Sequence, residues 1–141
     1  MAIKQELLDR LNNNSLYQIM GIRIEKANEG IAISRLETKP ELCWPLPDQP
    51  HGGVLYTMMD STMAWAIFSQ LEPGFNCATI NLDIQYTHPA KGPFFTCSAR
   101  ITHRTGRISF VSAEIHDSAK QLLAMGQAAF RVIRVNVKEQ G

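Results

Sequence analysis

A single charge, Asp60, interrupts the long apolar run GVLYTMMDSTMAWAIFSQL from Gly53 to Leu71. Directly upstream, Pro50-His51-Gly52-Gly53 makes a tight turn that feeds into this run. A charge inside an apolar helix costs several kcal/mol unless it is paired or reaches solvent or a ligand. The first N–H groups of a helix lack intrahelical acceptors, and the helix dipole adds partial positive charge there. Gly52 and Gly53 have no side chains, so a carbonyl oxygen can approach those donors closely. A poorly solvated carboxylate is in turn a better base or nucleophile. Donors at 52 and 53 with an acid at 60 are the parts that acyl transfer needs. One part holds a developing oxyanion, and the other attacks or activates water. His51 is available to orient the turn or to contact the acyl group.

The spacing adds a constraint. If residues 52–71 are helical, eight residues at about 1.5 Å each put Asp60 about 12 Å along the axis from Gly52. A carbonyl held about 3 Å from the Gly52 donor is then beyond the reach of Asp60 on the same chain. Both can act on one group only if they come from different subunits. A two-fold dimer with antiparallel helices side by side would meet that condition and make two equivalent sites.

The elements that must hold these groups follow from periodicity. Residues 3–12 put Ile3, Leu7, Leu8 and Leu11 on one helical face, and Asn12-Asn13-Asn14-Ser15 stops that helix, so residues 1–14 form an N-terminal helical segment. Met20–Ala27 and Ile31–Glu37 alternate loosely on either side of Asn28-Glu29-Gly30 and predict a hairpin. Four prolines between Lys39 and Pro50 argue against regular structure there. Residues 52–71 are the one long helix, apolar on nearly every side and hence buried on most of them.

Ala78–Thr87 alternates strictly, with Ile80, Leu82, Ile84 and Tyr86 on one face and Thr79, Asn81, Asp83 and Gln85 on the other. Phe94–His103, Arg107–Asp117 and Gln121–Val135 complete a run of strands, joined by turns at Arg104-Thr105-Gly106 and Asp117-Ser118-Ala119-Lys120. Strands in series without intervening helices predict an antiparallel sheet. The expected fold is α+β, with about six antiparallel strands wrapped around one long central helix in a single domain over residues 1–141.

Composition limits the remaining possibilities. A formal charge of +1 gives no reason to expect a nucleic-acid partner. Asp60 and Glu72 break the only long apolar run, so no membrane span is expected, and the N-terminus does not read as a secretory signal. Cys43, Cys77 and Cys97, odd in number and widely spaced, fit reduced thiols in a cytoplasmic protein. His103 and His116 lack ligand spacing, and no G-x-S-x-G, Walker A, Rossmann or C-x-x-C pattern occurs. Neither a metal nor a cofactor is therefore expected.

The core HGGVLYTMMDSTMAWA, followed by Tyr86-Thr87-His88-Pro89-Ala90-Lys91-Gly92 closing the next strand, resembles the hotdog-fold thioesterases. Specifically, it resembles the phenylacetate-degradation type of acyl-CoA thioesterase, and the resemblance covers about residues 15–135. It implies hydrolysis of an acyl-CoA ester by a homodimer or dimer of dimers with sites at the subunit interface. Carried over residue by residue, Asp60 is the nucleophile or general base and the Gly52 N–H polarises the thioester carbonyl. Thr79 helps place the water or the carboxylate, with His51 and Gly53 beside them. Lys91, Arg104 and Arg107 are candidates for the coenzyme A phosphates. In one departure, Pro45 stands where many relatives carry Asn or Gln, and Gln49 is the neighbouring amide able to substitute. The same fold also supports enoyl-CoA hydratases or dehydratases and non-catalytic acyl-CoA or acyl-carrier binding modules.

Overall fold

A computed structural model describes residues 2–136. Two short helices open the chain, α1 (Gln5–Asn12) and α2 (Ser15–Met20). The asparagine run therefore does more than stop a helix. Asn14 caps α2, its side chain accepting from the Tyr17 N–H at 2.9 Å. Gly21 then ends α2 in the left-handed region (φ 77°), which delays β1 (Ile22–Asn28) by two residues relative to expectation. Asn12 pins that strand through both its amide atoms, bonded to the backbone of Ile24 at 2.7 and 2.8 Å. Strand β2 (Ile31–Glu37) pairs back on β1 as the predicted hairpin. The proline-rich loop is less irregular than expected, with a 3-10 turn at Pro40–Leu42 and a bridge between Cys43 and Pro50 that closes the loop just before His51.

The long helix α3 covers Gly52–Phe68 and stops three residues short of the predicted end. Buried Ser69 ends it by turning its hydroxyl onto the Ala66 carbonyl while accepting from the Gly30 N–H. Then come β3 (Phe75–Tyr86), β4 (Phe94–Thr105), β5 (Ile108–Asp117) and β6 (Leu122–Arg134). All pair antiparallel in the order β1-β2-β4-β5-β6-β3, a six-stranded sheet whose last edge is β3. The β4–β5 turn is Gly106-Arg107, closed by Thr105 opposite Ile108, so Arg104 belongs to the strand and not to the turn.

Met58, Met59, Met63, Ala66 and Ile67 of α3 are buried against Leu36, Phe95, Cys97, Ile115 and Phe130 of the sheet. Close approach of helix and sheet depends on Gly126, where a side-chain carbon would lie 2.4 Å from Met59 Sδ. Strand β3 departs from its simple alternation. Thr79 pairs with Phe130 and Asn81 with Ala129, which leaves Ile80 as an extra residue. This bulge swaps the faces. Cys77 packs toward the core before it and Leu82 and Ile84 after it, while Ile80 is 56% exposed. Thr79 thereby joins the helix side of the sheet, against the alternation expected from the sequence.

Candidate active site

His51 is the N-cap of α3, its Nδ1 accepting from the Gly53 N–H at 2.8 Å. An accepting Nδ1 carries no proton, so in the neutral ring the proton is on Nε2. A side-chain carbon on Gly53 would lie 3.0 Å from that nitrogen, so any larger residue there would press on the ring that makes the cap. Gly52 differs, because no described residue accepts its N–H. Its carbonyl accepts from the Tyr86 hydroxyl at 2.6 Å. Of the two glycine donors, Gly52's is free for a ligand and Gly53's is committed to His51. Beside Gly52 lies a cleft of about 370 Å³, lined among others by Gln49, Leu55, Tyr86, Thr87 and His88.

Asp60 lies two turns further along α3 and is half-buried, its Oδ1 accepting from the Thr79 hydroxyl at 2.7 Å. The bulge at Ile80 makes that bond possible. Next to it, burial first and the Asp60 carboxylate second push the Cys77 thiol up to about 12, so Cys77 stays a neutral thiol rather than a nucleophile.

The contacts between α3 and β3 step antiparallel along both elements. They run from Gly52–Tyr86 through Tyr56–Leu82 and Asp60–Thr79 to Ala64–Cys77. Strand β3 is an edge, with no strand on its far side among the described residues. Tyr56, Ile80 and Tyr86 stand exposed along this seam. The free donor and the acid thus share one uncovered stripe, about 12 Å apart along the axis of α3.

The candidate cations divide between the two ends of α3. Lys91 follows Ala90, which lines the Gly52 cleft. Arg104 donates to the Gln70 side chain at 3.5 Å, just past the other end of the helix, and Arg107 sits in the nearby β4–β5 turn. No single chain gathers all three. Among the described residues no group of three His, Cys, Asp or Glu could hold a metal, and no helix is long and apolar enough to cross a membrane.

The family model described as the thioesterase superfamily matches residues 51–124, just over half the chain. The chain belongs to the thioesterase superfamily. His51, Gly52, Gly53, Asp60, Thr79, Lys91, Arg104 and Arg107 all lie inside the matched segment. A relative from Sulfurisphaera tokodaii, provisionally named an esterase, is 28% identical over 123 residues, 86% of this chain and 90% of its own. A thioesterase of Haemophilus influenzae has the same fold with a TM-score of 0.86 at 20% identity, covering 94% of this chain and 92% of its own. The PaaI protein of the E. coli phenylacetic acid degradation operon has a TM-score of 0.80 at 20% identity, covering 94% and 95%. The six-stranded sheet wrapped around α3 is the hotdog architecture.

Tyr86 is the site residue that sequence reasoning missed. The sequence grouped it with Ile80, Leu82 and Ile84 on one face of the strand and with the segment through Gly92 that closes it, and its contact with Gly52 spans 34 positions. The HPAKG segment after it was the only local signal that this end of β3 meets the HGG turn.

Proposed function

We propose that this protein hydrolyses acyl-CoA thioesters at two equivalent sites, each shared between two copies of the chain. One observation carries the proposal. A free Gly52 N–H and a Thr79-bonded Asp60 carboxylate lie on the same uncovered stripe, yet too far apart to meet one carbonyl. A second copy related by a two-fold axis near Tyr56 would bring Gly52 of one chain opposite Asp60 of the other, because 56 is midway between 52 and 60. The exposed edge of β3 supports the same contact, since an unpaired strand edge is a template for another strand.

In that site the Gly52 N–H, at the positive end of α3, donates to the thioester oxygen as charge develops on it. Asp60 of the other chain either takes the proton of the attacking water or attacks the carbonyl carbon itself. In the first route the water oxygen bonds to the carbonyl carbon, the C–S bond breaks, and the proton held by Asp60 passes to the departing coenzyme A thiolate. In the second the C–S bond breaks to leave an acyl–Asp60 anhydride, which a water molecule then hydrolyses, freeing the acid and Asp60 and supplying the proton that makes the thiol. Thr79 holds the acid through Oδ1 and leaves Oδ2 to do the work. His51 fixes the turn through Gly53. Gln49, which lines the cleft, is the amide available there to stand in for the residue that Pro45 replaces.

Antiparallel pairing also brings the Arg104 and Arg107 end of one chain beyond the Gly52 and Lys91 end of the other. The three cations, divided within one chain, then serve one coenzyme A. Their contacts supply uniform binding, so alanine at each should raise KM and leave kcat near wild type. Three free thiols are in keeping with a reducing, cytoplasmic setting.

The test is release of free thiol from a panel of acyl-CoA esters that includes phenylacetyl-CoA, with Asp60→Asn as the partner variant. Turnover that falls roughly a hundredfold or more in the variant supports the proposal. Binding without turnover, or water addition to an enoyl-CoA instead, would replace it.

A further inference from the structure

Tyr86 ends β3 against the first residue of α3. Its hydroxyl donates to the Gly52 carbonyl, and its ring lies so close that a side-chain carbon on Gly52 would come 3.3 Å from Cζ and 3.4 Å from the hydroxyl oxygen. Two peptide groups meet at the Gly52 α-carbon. One carries the free N–H and the other carries the carbonyl that Tyr86 holds. Glycine rotates about both bonds more freely than any other residue, so the direction of the donor depends on how firmly the α-carbon itself is held, and the Tyr86 hydrogen bond and ring contact both hold it. On the donor's own side the His51 ring is committed to the Gly53 N–H, and the peptide group is tied only through the backbone, its His51 carbonyl accepting from the Val54 N–H at 2.9 Å.

We infer that Tyr86 is the positioning residue for the Gly52 donor, using its hydroxyl and ring to aim that N–H at the substrate carbonyl. The inference rests on the thioesterase reading above. Burial, and then the nearby Tyr56 phenol, raise the proton affinity of Tyr86, so it remains a donor across ordinary working pH. A simple anchoring role would be redundant, because one turn further on Tyr56 already ties α3 to β3 through the Leu82 carbonyl at 3.1 Å.

Tyr86→Phe keeps the ring and removes the hydroxyl. Loosening an oxyanion donor acts on the transition state, so kcat should fall about ten- to a hundredfold with KM within about twofold. Rates that stay at the wild-type value, or a loss that appears only in KM, would overturn the inference. A second measurement does not depend on turnover. Protein labelled with ¹⁵N-glycine has nine amide signals. In Tyr86→Phe the Gly52 signal should shift or broaden, while Gly74 and Gly106, with nothing within 4 Å of their missing side chains, should stay in place. An unmoved Gly52 signal would sink the inference even in a protein that hydrolyses nothing. A wild type that fails to release thiol, with a Gly52 signal that does move, would instead count against the thioesterase reading alone.

Discussion

Mixing two inactive variants should restore activity if each site takes its donor and its acid from different chains. Asp60→Asn leaves every donor intact and removes every acid. Gly52→Pro does the reverse, because proline has no N–H, and at the first position of a helix its fixed φ fits without loss of a helical bond. The added ring carbon would press on Tyr86 at 3.3–3.5 Å, but that side chain is 48% exposed and has room to give by a few tenths of an ångström. Removing one oxyanion donor costs roughly 10²–10³ in rate, so each variant alone should show at most about 1% of wild-type turnover. Random pairing makes about half of all dimers mixed, and each mixed dimer has one complete site of two, which predicts recovery to about a quarter of wild-type activity. Such a signal stands well above either background. The assay is thiol release after subunit exchange or co-expression with two affinity tags, and light scattering confirms that Gly52→Pro still pairs. Doubly tagged mixed dimers that purify together and remain inactive would refute the shared site.

Thr79→Val should lower kcat at least about tenfold while Thr79→Ser retains most of it, because only the hydroxyl bond to Asp60 is in question. Similar rates in both variants would mean that the bond does not orient the acid. Stability should fall at alkaline pH. Burial pushes the Cys77 and Cys97 thiols up to about 12 from an ordinary value near 9.0, so the unfolded chain releases these protons first. The stabilisation is therefore complete below the unfolded value and is lost as pH rises toward the folded one. At pH 10 each thiol should account for about 1.4 kcal/mol of that loss. Urea midpoints at pH 7 and pH 10 measure it, and an unchanged midpoint would show that neither thiol is as dry as the structure makes it.

The HGG turn and Asp60 were legible because their signals are local. Glycine pairs and a charge in an apolar run declare themselves within a dozen residues. The hotdog arrangement was legible for a related reason, since one helix apolar on nearly all sides needs a sheet to wrap it. The face of Thr79 was not legible. Strict alternation sets it opposite Leu82, and only the pairing of β3 with β6, with Ile80 left over, turns it toward Asp60. The unequal roles of Gly52 and Gly53 were hidden as well, because they depend on which N–H the His51 ring takes. The separation of Lys91 from Arg104 and Arg107 follows from the route of the chain around the sheet, which no spacing along the sequence reveals.

The environment of Asp60 bears directly on the need for a second chain. An isolated charge in an apolar helix suggests an acid dried by its own fold. The structure instead leaves Asp60 half-buried, bonded by one hydroxyl and open along the stripe between α3 and β3. The groups that do lie beneath α3 are the fully buried methionines Met58, Met59 and Met63, on other faces of the same helix. One chain therefore positions the acid while desolvating it only in part. In the shared-site reading, the chain that covers the stripe brings the Gly52 donor within reach and also excludes water from the carboxylate, strengthening both interactions at the moment of reaction. The α3–β3 seam would then belong to the catalytic apparatus as much as to the assembly, and a monomer would lack the donor and the dry surroundings together.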